Sequence, residues 1–131
     1  MTSTAGDPRQ LRALADVTVQ RAAEDLRAQL AALVGQVEPF PPFPGAVFAY
    51  GIEVEPPAHS SLGCVIVGDD GALYELQIGL DHEAIASGGD ALAQRHEELL
   101  KLELPPREFI AYAHSAIEAL SSYLEERAVA G

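Results

Sequence analysis

Two glutamates, four histidines and one cysteine are the side chains of this 131-residue sequence with the greatest chemical potential. Glu53 and Glu55 stand two apart in the alternating stretch Val47–Glu55. On a strand that spacing places both carboxylates on one face, about 6–7 Å apart, which suits paired acid–base work on a glycoside. Any edge strand that keeps a charged face toward water produces the same spacing, and this plainer reading is preferred. Asp81-His82-Glu83 gathers three polar groups at a strand-to-helix junction, and His114 and Glu118 stand one helical turn apart. Imidazole and carboxylate are metal donors, so a metal site would draw on His59, Asp81, His82 and His114. The H-E-x-x-H pair of a zinc hydrolase is absent. Each member of the cluster also serves plain structure, since Asp81 caps a helix, Glu83 meets its dipole and His82 stands in its exposed first turn. No cofactor is expected.

Cys64 lies between Gly63 and Val65 in the most apolar stretch. A nucleophilic thiol needs a lowered pKa and access, and a central strand provides neither. It is read as a small buried side chain. A single cysteine also excludes an intrachain disulfide. Gly63 and Gly68 bracket four residues like a phosphate loop, but no Gly-Lys-Ser/Thr follows, and neither G-x-G-x-x-G nor G-x-S-x-G occurs.

The elements that must position these groups follow from periodicity. Residues 1–6 read as a loose tail and 7–131 as one domain. Asp7, Pro8 and Gln10 make a capping-box start on a proline. A helical stretch then runs to Val34, with Gly35 as its stop. Leu26, Leu30, Leu33, Val34 and Val37 form a buried stripe that Leu11, Leu14 and Ala22 extend backwards. The β-branched run Asp16-Val17-Thr18-Val19 is a place for a bend or break. An unbroken helix would span about 40 Å, more than the roughly 36 Å diameter of a globule of this size. Its first turns must then project, and an antiparallel helix pair across a two-fold axis would cover them.

A Pro-rich connector carries Phe40 and Phe43. Three strand signals follow, at Val47–Glu55, Leu62–Val67 and Ala72–Leu80, with Asp69-Asp70-Gly71 as a hairpin turn. Asp81 and Asp90 cap two further helical runs, to about Ser87 and Leu102, the second carrying a Glu97–Lys101 pair. Pro105-Pro106 opens a final helix whose stripe is Phe109, Tyr112, Ala113, Ala116, Ile117, Leu120, Tyr123 and Leu124. The expected class is α+β: a long N-terminal helix, a three-stranded antiparallel meander, and two to three C-terminal helices packed on the sheet.

Eight Lys and Arg against 20 Asp and Glu leave a formal charge of −12. That charge repels nucleic-acid phosphates and anionic membranes and favours a basic protein or peptide. No apolar stretch reaches the roughly 18–20 residues of a membrane helix. The polar opening has no leader-like apolar run, and a cytoplasmic location is expected. The leading reading is a non-enzymatic interaction module, an acidic adaptor, chaperone-like protein or accessory subunit that forms a homodimer. Leu11, Leu14, Phe40 and Phe43 are its partner contacts. The alternative is a small-molecule or metal-binding domain, a hydrolase or isomerase, with a pocket between the sheet and the C-terminal helices near Tyr50, Tyr74, His114 and Glu118.

Overall fold

The computed structural model describes residues 6–44, 50–57, 62–80 and 95–130. In chain order the elements are α1 (Pro8–Val34), β1 (Ile52–Val54), β2 (Cys64–Val67), β3 (Leu73–Leu80), β4 (Arg95–Lys101) and α2 (Pro106–Ala130). The four strands form one antiparallel sheet in the order β1-β2-β3-β4. The class is α+β, as expected, with two corrections. Among the described residues the sheet has four strands where three were expected, and one helix, α2, follows it. Neither described helix is apolar enough to cross a membrane.

The fourth strand occupies part of the stretch expected to be helical from Asp90 to Leu102. Arg95–Lys101 is rich in Glu and Leu, good helix formers with weak strand preference. Local propensity loses here to pairing. β3 has eight residues and β2 only four, so β3 offers a long open edge. β4 takes it along seven consecutive pairs, from Tyr74↔Lys101 to Leu80↔Arg95. An unpaired backbone edge is costly to leave open. Glu97 and Lys101 therefore stand about 13 Å apart along a strand instead of one turn apart on a helix. The expected helix from Asp81, and its cap, lie outside the described residues.

α1 is a continuous helix of 27 residues; the β-branched run does not break it. Asp7 is the N-cap, and its Oδ1 accepts from the Arg9 N–H at 3.0 Å. Pro8 opens the helix, where a missing N–H costs nothing. Gly35 ends it at φ −62°, without the left-handed turn usual for a C-terminal glycine. Its N–H donates to the Ala31 carbonyl at 3.1 Å. The β2–β3 turn does use a left-handed glycine: Gly71 sits at φ +80°, close against the Ala31 backbone.

One core joins both helices to one face of the sheet. Leu30, Val34 and Val37 follow the expected stripe and meet Val54, Val65, Val67 and Leu73 from the strands. Phe109, Tyr112, Ala113, Ala116 and Leu120 of α2 close the layer. Alternation sends Ile66 and Leu76 to the opposite face, and both are buried there. β2 is thus apolar and covered on both sides, as its unbroken run of apolar residues implies. α2 begins beside the middle of α1, with the Arg27 guanidinium 4.4 Å from the Phe109 ring centre. It ends where Arg127 donates to the Glu38 carbonyl at 3.1 Å, so the two helices run in the same direction.

Candidate functional site

The geometry most in need of a function lies on the first half of α1. Buried positions begin at Ala23 and continue with Leu30 and Val34; none occurs from Pro8 to Ala22. Of these fifteen residues, about 22 Å of helix, only Val19 and Ala22 are half-buried, and the eleven from Pro8 to Thr18 are all exposed. Leu11, Leu14 and Val17 are 49, 62 and 46 % exposed. Spaced by three residues, they share one side of the rod. Arg9, Arg12 and Arg21 lie on the same projection against one carboxylate, Asp16, so it carries a positive excess in a chain of charge −12. Arg21 makes no ion pair among the described residues. The Thr18 hydroxyl donates back to the Leu14 carbonyl at 2.9 Å, which keeps that polar group close to its own helix.

The other expected contact residues sit differently. Phe40 is half-buried and packs against the core, and Phe43 is half-buried in the connector. The connector itself is tied down by the Gly51 N–H donating to the Pro41 carbonyl at 2.9 Å and by a bridge between Pro42 and Tyr50.

The residues of the alternative pocket are dispersed. His114 Nδ1 and Glu118 Oε1 are brought together at 2.9 Å, but both side chains stand about 70 % in solvent. Tyr50 is exposed beside the connector. Tyr74 belongs to the sheet face opposite Leu73, where its hydroxyl donates to Asp70 Oδ2 at 2.5 Å. Glu53 and Glu55 are exposed and, with Ser115, Glu118 and Ser122, line an open groove of about 300 Å³ between β1 and α2. Within the described residues no group of three or more His, Cys, Asp and Glu side chains is arranged to hold a metal. His59, Asp81 and His82 lie outside them.

Protonation follows the same pattern of structural use. Burial, followed by the charge of Glu53, pushes the Cys64 thiol above its ordinary value, which favours the unreactive thiol. Partial burial pushes Asp70 up, but the Tyr74 hydroxyl and the Ala72 N–H, with help from Lys101, hold its carboxyl below the usual value. That same hydrogen bond, then burial and the nearby carboxylates, raises Tyr74. The Gly63 N–H and then the Gln77 amide lower Glu75. Asp70, Tyr74 and Glu75 thus each fasten a turn or a strand end.

A further groove has no counterpart in local sequence patterns. Arg27, Ala31, Asp70, Lys101, Leu104 and Phe109 line an open cleft of about 850 Å³ where α1, the β2–β3 turn and the β4–α2 connector meet. Its residues are distant in sequence and share no spacing. Val17 does carry a sequence signal, since it stands three residues after Leu14, but it sits within the β-branched run whose composition favours a helix break. No known protein family, curated protein or solved structure matches the chain.

Proposed function

We propose that this chain is a non-enzymatic protein-interaction module that works as a homodimer, with the projecting half of α1 as its contact element. The observation that carries this reading is the row Leu11, Leu14 and Val17, held out on a rigid helix with no cover from its own body. A monomer gains nothing by presenting aligned apolar side chains on such a rod, whereas a partner surface recovers their burial, worth about 25 cal/mol per Å². A second copy supplies an identical row and a closed two-fold arrangement. The role of a small acidic adaptor or accessory subunit, and cytoplasmic residence with an unpaired cysteine, belong to the same proposal. The carboxylate-rimmed groove of Glu53, Glu55 and Glu118 favours a basic peptide as a further partner.

Light scattering after size exclusion tests the reading. The expected particle at micromolar concentration has twice the 13.9 kDa chain mass. Leu14→Glu is expected to leave the helical circular dichroism unchanged and to yield monomers. A strictly monomeric wild-type protein would remove the reading's support.

A further inference from the structure

Because α1 is unbroken from Pro8, its cap and its first half share one helical wheel. Residues seven apart return to almost the same angle, with about 20° of drift. Asp7, Leu14 and Arg21 therefore lie along one line, with Leu11 and Val17 flanking Leu14 at equal offsets on either side. The line starts with an anion, is apolar at its centre and ends with a cation. Asp7 keeps one carboxylate oxygen on the Arg9 N–H, and its second oxygen has no partner among the described residues.

We infer that two copies pair α1 against α1 in antiparallel orientation, with Leu14 of each copy at the two-fold axis and Asp7 of one beside Arg21 of the other. This rests on the homodimer reading above and adds its polarity and register. With the axis at Leu14, Leu11 of one copy comes level with Val17 and Thr18 of the second, so apolar side chains close the layers on both sides of the centre. At each end a carboxylate meets a guanidinium, a pairing that a planar donor fork serves well. A parallel pair sets Asp7 against Asp7 and Arg21 against Arg21, two repulsive contacts in place of two attractive ones. The overlap covers residues 7–21, and the first turn of each α1 stops short of Ala23, the first fully buried position of the other copy.

Disulfide trapping in a Cys64→Ser background reads the register directly, because the substituted positions are exposed and carry no core contact. Under mild oxidation Leu14→Cys alone is expected to form a covalent dimer rapidly. Leu11→Cys alone and Thr18→Cys alone are expected to react slowly, and a mixture of the two to form the mixed dimer. Arg21→Asp is expected to raise the dimer Kd about tenfold, since it makes both end contacts repulsive. Rapid self-trapping at all three positions indicates a parallel pair and overturns the register. A dimer with no trapping at Leu14→Cys places the rod on the body of the second copy and also overturns it, while leaving the homodimer reading intact. A wild-type monomer overturns both.

Discussion

Individual polar side chains in this molecule fasten backbone rather than converge on a reaction centre. Asp70 illustrates this. It accepts from the Ala72 N–H at 3.0 Å and from the Tyr74 hydroxyl at 2.5 Å, so one carboxylate in the β2–β3 turn fastens the start of β3. The consequences for stability follow from the protonation directions. Asp70 and Glu75 are lowered from 3.8 and 4.5, so their stabilisation is present above those values and is lost as pH falls through the lower folded ones. Tyr74 is raised from 10.0, so its stabilisation is present below that value and is lost as pH rises through the higher folded one. Tyr74→Phe is therefore expected to flatten the decline of melting temperature above about pH 10. Melting curves between about pH 8 and 11, buffered at one-unit steps, check this. An alkaline decline identical to wild type would show that the hydroxyl contributes nothing to the turn.

Among the secondary-structure elements, β4 and α1 owe their conformations to different forces. β4 is a strand because β3 has an edge to fill, against the preference of its own residues. Glu98, exposed and opposite Gln77, offers a test. Glu98→Thr exchanges a helix former for a strand former without altering the core. It is expected to stabilise the protein by up to about 1 kcal/mol, measured by urea denaturation. The same change would cost stability if the segment were helical. α1 is instead helical along its whole length because nothing in it forbids a helix, and a proline and an aspartate start it in register. Its weak point, the β-branched run, lowers propensity by only tenths of a kcal/mol per residue, too little to break a helix anchored at Leu30 and Val34.

For the molecule as one body, the buried core draws on no residue of α1 before Ala23. The core begins at Ala23 and closes between α1, one sheet face and α2. Removal of residues 1–21 is accordingly expected to lower the melting temperature by no more than about 5 °C, compared at a concentration where both proteins are monomeric. The truncated chain is expected to elute as a monomer at every concentration tested. A fall much larger than this would place the first half of α1 inside the cooperative unit. The charge distribution supports the division: eighteen of the twenty Asp and Glu lie outside residues 7–21, which keep three of the eight Lys and Arg. Acidic bodies held at the two ends of a mildly basic seam repel each other less than bodies packed face to face.

β1, expected over Val47–Glu55, spans only Ile52–Val54 among the described residues. Local sequence was sufficient for the two ends of α1 though not for its continuity, for the hairpin turn with its glycine, for β2 and β3 to within two residues and for the apolar stripe of α2. These rest on caps, breakers and periodicities that act over a few neighbouring residues. It also supplied Leu11 and Leu14 as apolar positions at helical spacing, but presented them as a continuation of the buried stripe as readily as a partner surface. Packing separated these two roles, because cover on α1 starts only at half-buried Val19 and Ala22 and leaves Leu11, Leu14 and Val17 exposed. Packing likewise set the fate of Arg95–Lys101 and the dispersal of Tyr50, Tyr74 and His114, since strand pairing and the meeting of distant side chains depend on contacts that no local spacing encodes.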